Sequence, residues 1–338
     1  MDTFIFALNA VLPIILLIGL GYVLKLTGFI NENFLDIANK LVFRIALPAL
    51  LFFNIYSVSG LEDINWSVML YAAIGIIILL IIGLIFAKIF IKDPKQKGVI
   101  VQTTLRANFA IIGIPLAESI GGAPAVANVA LIALVGIPLM SGISVIVLSL
   151  AVHDKTLGNP IKMALLKVIK NPLIIGVGIG LFALWIRTFI PIDPTTNELV
   201  FSLQNNLKFL YVPIKWLGQI TSPLALIVLG ATFKFNIIRG LKKQIILGTF
   251  LRSIIAPLVT LGLAVILAQN TRLFNFDNNV YPALISLFGS PTAITNAVMV
   301  REMHSDENLS VQLVVSTTIA SIVTIFAIVV IFRSLGLI

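Results

Sequence analysis

Two Gly-x-Pro tripeptides interrupt apolar stretches of this chain, Gly113-Ile114-Pro115 and Gly289-Ser290-Pro291. Proline lacks an amide proton and its ring clashes with the preceding helical turn. Glycine tolerates the backbone angles that an unwound segment needs. Unwinding frees amides and carbonyls, and in lipid each costs several kcal/mol unless it faces a cavity or a bound solute. The half-helix that restarts beyond each interruption offers the positive end of its dipole, which suits an anion. Neutral polar residues crowd the same places. Asn108 precedes Gly113, with Gln102, Thr103 and Thr104 upstream, and Ser290, Thr292, Thr295 and Asn296 surround Pro291. An Asn amide both donates and accepts, so it can grip a carboxylate or an ion. Hydrogen bonds from Ser and Thr to their own helix carbonyls are the plainer alternative. Ser316, Thr317, Thr318 and Ser321 extend the series, either packing helices or lining a cation site.

The charged residues narrow the chemistry. Arg44, Arg106 and Arg252 lie inside apolar stretches, where each costs on the order of 3 kcal/mol at membrane centre. Arg106 and Arg252 are candidates for attracting an anion. Pairing with carbonyls or with Glu302 is the structural alternative. Arg44 lies nearer a span end, from which a long side chain can snorkel to the interface. The 14 acidic residues fall in loops or near span ends, Glu118 and Glu302 coming closest to the interior. A cation site would ordinarily show an intramembrane carboxylate, so the cargo reads as an anion and no proton carrier is evident. His153 and His304 fall in loops, which suits solvated roles. The chain has no cysteine, so disulfides and thiolate chemistry are excluded. It shows no His-Glu-x-x-His, no paired intramembrane Asp and no Ser beside a His at membrane depth. No enzyme and no metal are expected.

The elements that must position these residues are transmembrane helices. Of the 338 residues, 59% are hydrophobic and 11% charged, against about 25% charged in soluble domains; mean hydropathy is +1.09. A spanning helix needs about 20 apolar residues. Runs of that length lie near 4–24, 36–57, 66–90, 98–120, 124–152, 168–190, 209–233, 244–268, 280–301 and 309–333. Turn chemistry separates them, as in Lys92-Asp93-Pro94, Gly158-Asn159-Pro160 and Asp277-Asn278-Asn279. The longest connection, near 190–208, has room for a short interfacial helix. The chain starts Met1-Asp2-Thr3 and turns apolar at once, which reads as a first span rather than a signal peptide.

The net charge is +9, but the basic residues sit in short loops without interleaved aromatics, so nucleic acid is not an expected partner. With ten spans, 15 loop basic residues fall on one side (Lys25, Lys40, Lys88, Lys92, Lys95, Lys97, Lys155, Lys162, Lys167, Lys170, Lys234, Arg239, Lys242, Lys243, Arg301) and 5 on the other (Arg187, Lys208, Lys215, Arg272, Arg333). The richer side is expected to be cytoplasmic, with both termini outside. The protein reads as a multi-pass protein of the plasma or inner membrane.

The chain also repeats. Pro13, Gly19 and Gly21 match Pro172, Gly178 and Gly180 at an offset of 159, and Pro48 matches Pro223 at 175. The two Gly-x-Pro elements match at 176. Five spans per half force opposite orientations, so the expectation is an all-α membrane protein of two inverted five-helix repeats, residues 1–152 and 153–338. Such repeats with broken helices mark secondary transporters whose site lies where the breaks meet.

These residues resemble the auxin efflux carrier family, the PIN-like carriers and their prokaryotic relatives. The resemblance rests on Leu47-Pro48-Ala49-Leu50-Leu51-Phe52, on Arg106 through Leu116 with its Asn-x4-Gly-x-Pro-Leu element, and on Ser290-Pro291 through Arg301-Glu302-Met303-His304. It covers the chain from end to end. It implies the fold of bile acid–sodium symporters, with spans 1, 2, 6 and 7 as a scaffold. Spans 3–5 and 8–10 would form a transport domain in which helices 4 and 9 cross at their breaks. It further implies elevator movement and organic anions such as auxin, malate or malonate. Carried over by position, Asn108, Gly113, Ile114, Pro115, Gly289, Ser290, Pro291 and Thr292 would bind the carboxylate; the polar residues about the second break add Asn296. A sodium-coupled symporter of bile-acid type is the alternative. Na+ or H+ would be the coupling ion, and a homodimer is a candidate assembly. The 153–167 connection is short where plant members carry a long loop, so plant-style regulation there is not expected.

Overall fold

The computed structural model describes residues 2–58, 65–152, 162, 166, 169–191, 199–233, 240–271, 273, 274 and 276–338. Lys155, Lys167, Lys234, Arg239, Arg272, His153 and the Gly158-Asn159-Pro160 turn lie outside them. The described residues form fourteen α-helices: α1 Asp2–Leu26, α2 Glu32–Leu41, α3 Leu47–Tyr56, α4 Trp66–Phe90, α5 Pro94–Leu105, α6 Ile114–Val152, α7 Pro172–Arg187, α8 Leu203–Asn206, α9 Lys208–Ala231, α10 Lys242–Phe250, α11 Ala256–Asn270, α12 Val280–Gly289, α13 Thr295–Glu302 and α14 Glu307–Ser334. Six helical stretches are long and apolar enough to cross a membrane: Asp2–Leu26, Trp66–Phe90, Phe109–Val152, Lys208–Ala231, Lys242–Asn270 and Glu307–Ser334. Pro172–Arg187 and Val280–Gly289 are shorter apolar helices. Large apolar side chains such as Leu16, Phe182, Trp216, Leu258 and Val323 face outward, as lipid allows and water does not. The short helix α8 lies in the long connection near 190–208.

Local signals start the helices. Asn31, Asp93, Asn171 and Asp306 cap α2, α5, α7 and α14 by accepting from the amides of Phe34, Lys95, Leu173 and Leu309. Pro94 and Pro172 follow their caps at the first helical position, where the missing amide costs nothing. α6 bends at Gly122, where φ is +64°; a side chain there would be strained. The bend divides a stretch roughly twice as long as a bilayer is thick.

Three prolines are absorbed rather than breaking their helices. Wide π turns at Val42–Ala46, Phe109–Gly113 and Leu251–Ile255 stand immediately upstream of Leu47-Pro48, Ile114-Pro115 and Ala256-Pro257. Widening the turn relieves the clash of the ring with the carbonyl behind it. This corrects the position of the first break. The chain leaves the helix at Arg106–Asn108 and is helical again from Phe109, so Gly113, Ile114 and Pro115 lie inside a helix. The second break falls at Ser290–Ile294, where Gly289-Ser290-Pro291 places it. The two tripeptides therefore do not play equivalent roles.

Small residues set how closely helices cross. A Cβ added at Gly21 of α1 would lie 1.9 Å from the Ile227 carbonyl oxygen of α9, and one at Gly230 would lie 1.8 Å from that of Ile18. The two backbones meet reciprocally. On α7, Gly176 packs against Pro48 and Gly180 against Ile55 and the Phe52 carbonyl, while Gly218 of α9 packs on Leu50. Thus α9 packs on α1 and α3, and α7 on α3. Elsewhere α4, α5, α6 and α12 pack together and α14 packs on α1, α10 and α13, while α6 also packs on α1, α3 and α7. Gly113 fits against the Ser286 carbonyl and Gly75 against the Phe288 ring. The Tyr71 hydroxyl donates to the Thr260 carbonyl, with the rings of Phe274, Phe276 and Phe288 edge-on around it.

Gly21→Ala or Gly230→Ala should lower the thermal midpoint of the detergent-purified protein, at a cost of about 1–3 kcal/mol for overpacking. Gly19→Ala, whose added methyl meets nothing within 4 Å, should leave it unchanged.

Candidate functional site

The two breaks meet. Arg106–Asn108 runs antiparallel to Pro291–Ala293, with Ala107 opposite Thr292. The Asn108 amide donates to the Pro291 carbonyl at 2.7 Å, and the Ala293 amide donates to the Arg106 carbonyl at 3.1 Å. The Thr292 hydroxyl adds a second bond to the Arg106 carbonyl at 3.2 Å. Behind this strip Thr292 is held from two sides. Its amide donates to Thr317 Oγ1 at 3.2 Å, and its own Oγ1 accepts from Asn296 Nδ2 at 2.6 Å. The backbone groups that unwinding frees are thus largely returned to one another.

Two helices, α5 and α12, stop at the strip and leave carbonyls without helical partners. Arg252, fully buried on the π turn of the neighbouring α10–α11 stretch, supplies the donors. Its Nε donates to the Ser290 carbonyl at 2.8 Å, Nη1 to Thr104 at 3.0 Å and Nη2 to Leu287 at 2.9 Å. Phe288 lies at 3.4 Å from Nη2.

In front of the strip lies a cavity of about 660 Å³. Its floor is Arg106, Ala107, Asn108, Phe109 and Ala110 with Ala293, Ile294 and Thr295. Its walls add Phe43 and Arg44 before α3, Met140 and Ser141 of α6, Lys170, Asn171 and Pro172 at the start of α7, and Met299 and Glu302 of α13. Three cationic side chains, Arg44, Arg106 and Lys170, thus face it against the carboxylate of Glu302. Asn108 is 5% exposed, and its Nδ2 has no partner among the described residues. A buried donor without an acceptor is costly, and Asn108 stands at the floor of the cavity. Arg106 reaches the sulfur of Met299 at 3.4 Å, which leaves most of its five donors for other acceptors.

Most of the residues singled out by sequence fall into three groups. Asn108 and Arg106 line the cavity. Gly289, Ser290, Pro291, Thr292 and Asn296 are buried in or behind the strip and do not line it. Gly113, Ile114 and Pro115 are buried in the helix beyond, where Gly113 serves the contact with α12. Arg252 faces carbonyls instead of the cavity. Of the hydroxyl series, Thr317 anchors Thr292, while Thr318 and Ser321 bond to their own helix carbonyls at 2.7 and 2.8 Å. Lys170, Asn171, Ser141 and Met299 were not anticipated, and Glu302, singled out for its depth and as a candidate partner of Arg106 or Arg252, joins them in the lining. The Lys170-Asn171-Pro172 start signal was legible as a helix cap, but nothing local shows that the helix points into a cavity.

A family profile described as membrane transport protein matches residues 6–157 and 149–329. The chain is also similar to an uncharacterized transporter of Methanothermobacter thermautotrophicus, 25% identical over 322 residues that cover 94% of this chain and 95% of the relative.

The absence of native cysteine makes single-cysteine labelling direct. With a polar maleimide, Ser141→Cys and Thr295→Cys should react readily. Ser290→Cys and Thr318→Cys, both buried away from the cavity, should react at least about tenfold more slowly.

Proposed function

We propose that this chain, which belongs to the membrane transport protein family of auxin efflux carrier type, is a secondary transporter of a small organic anion bearing a carboxylate. The observation that carries the reading is the Asn108 side-chain amide, without a partner for its Nδ2 among the described residues, beside Arg106 at the floor of a cavity with more cations than carboxylates. A carboxylate bound there accepts from Asn108 Nδ2 and from the guanidinium, with helices restarting at Phe109 and Thr295 and α7 starting at Pro172 around it. Auxin-like acids, malate and malonate all present such a group.

Ten spans in two inverted halves fit this reading. Helices occupy each predicted apolar run once α2 with α3, α5 with the part of α6 before Gly122, α10 with α11, and α12 with α13 are each taken as one span and the rest of α6 as another. Internal symmetry supports the inversion. Gly21 meets the carbonyl of Ile227, and Gly180 meets that of Phe52. Gly180 stands 159 positions after Gly21, and Ile227 stands 175 after Phe52, the offsets already seen for Pro13 and Pro48. A contact between the first and seventh spans thus recurs between the sixth and second. The α1, α3, α7 and α9 group acts as the scaffold and the group carrying the strip as the moving domain. Elevator movement would then carry the strip, Asn108, Arg106 and Arg252 together, past the scaffold wall that holds Arg44 and Lys170. Positive-inside orientation puts the mouth of the cavity, with Lys170, on the cytoplasmic side.

A sodium-coupled mechanism of bile-acid type is favoured by a separate observation. Four buried oxygens around the strip lack partners among the described residues: Gln102 Oε1, Thr103 Oγ1, Ser290 Oγ and Asn296 Oδ1. Oxygen ligands of this kind suit a hard cation.

In proteoliposomes, the wild-type protein should accumulate a radiolabelled carboxylate, and Asn108→Ala should reduce uptake about tenfold or more, the worth of a hydrogen bond to a charged group. Full uptake by a folded Asn108→Ala variant would remove Asn108 from the site. An imposed sodium gradient stimulates uptake in the coupled reading; a response to membrane potential alone excludes it.

A further inference from the structure

Arg252 is a complete buried cation with no carboxylate bonded to it among the described residues; its hydrogen bonds all go to carbonyls. Those carbonyls close the last turns of α5 and α12, the two helices that stop inside the apolar layer. A helix C-terminus carries about half a negative charge and an N-terminus about half a positive one. The two C-termini together amount to about one negative charge, which one guanidinium balances. Beyond the strip, the helices beginning at Phe109 and Thr295 contribute about one positive charge between them, on the side where Asn108 and Arg106 face the cavity. Without Arg252 the four termini would sum to about zero. With it the strip is net positive.

We infer that Arg252 is the positioning residue of the anion site: it neutralises both arrested helix ends from behind and fixes their spacing, so that the strip offers its positive side and the Asn108 amide to the cavity. The geometry explains the residue type. Three guanidinium nitrogens reach carbonyls on two helices from one rigid plane, which a lysine ammonium cannot match. Arg252 sits on a third helical stretch, so its bonds also tie α5 and α12 to the α10–α11 unit as one body. The inference rests on the anion-carrier reading for its ligand and on the hydrogen-bond geometry alone for its alignment.

The test uses the full-length purified chain and the variants Arg252→Gln and Arg252→Lys. Hydrogen–deuterium exchange needs no ligand. In Arg252→Gln the amides of Asn108 and Ala293, which hold the strip together, should exchange faster while the amides of α1 and α9 are unchanged. Wild-type exchange across 106–108 and 291–293 in a folded Arg252→Gln variant overturns the alignment role. Malonate and indole-3-acetate serve as anion probes in equilibrium binding. Arg252→Gln should weaken whichever probe the wild type binds by about tenfold, while Arg252→Lys, which keeps the charge, should stay within about threefold. Equal affinity in wild type and Arg252→Gln, or a loss in folded Arg252→Lys as large as tenfold, overturns the electrostatic role. If Arg252→Gln does not fold, Arg252→Lys decides both parts: faster strip exchange with retained binding is the expected result, and unchanged exchange or lost binding overturns the corresponding part. A wild type that binds neither probe counts against the carboxylate reading, and the exchange result still decides the alignment.

Discussion

A helix that ends inside lipid leaves carbonyls and amides with no water to bond, and the rest of this structure is arranged around that constraint. The chain meets it twice at one place. Arg106–Asn108 and Pro291–Ala293 bond to each other as a two-strand strip, and the arrested ends of α5 and α12 are closed by one buried arginine. Each break is tolerable because the other is beside it. A single break in this layer would leave its backbone groups unpaired, at several kcal/mol each. Among the side-chain groups left without a partner by this internal accounting, within the described residues, is Asn108 Nδ2, and Asn108 lines the cavity.

Helices here are held by close backbone approach. Where Gly21 meets the Ile227 carbonyl and Gly230 that of Ile18, no side chain intervenes between α1 and α9, and the contact is a matter of shape. Apolar burial does little to hold helices together when lipid is equally apolar, so small-residue packing and buried polar bonds carry the association. The π turns belong to the same logic. They let Pro48, Pro115 and Pro257 remain inside helices, so the discontinuities occur where a partner strand waits and not wherever a proline stands. One of these turns also carries Arg252.

The charge pattern follows from topology as much as from residue type. Arg106 and Arg252 are alike in sequence context, both being single arginines in apolar stretches. In the fold they face opposite sides of the strip. Arg252 is consumed by carbonyls, and Arg106 is left with a thioether contact and an open cavity. Lys170 and Arg44 join it from elements distant in sequence, which gives the cavity three cationic side chains against the carboxylate of Glu302.

Apolar run length and turn residues were sufficient, in the sequence alone, to establish an all-helical membrane protein of several spans, because lipid demands long apolar segments whatever their neighbours are. The spacing of Pro and Gly carried the expectation of an internal repeat, since close helix crossings need small residues at fixed positions. Asn108 and Arg106 were legible as polar groups where an apolar stretch pays a penalty for them. The location of the first break was not. Gly113 and Pro115 carry the local signature of a break, yet a π turn absorbs them, and the helix opens at Arg106–Asn108 because Pro291–Ala293 is there to bond with it. Nor could spacing tell that Arg252 would close two helix ends or that Lys170 and Glu302 would border the cavity. Those assignments depend on which distant segment lies opposite, and only the packed structure decides that.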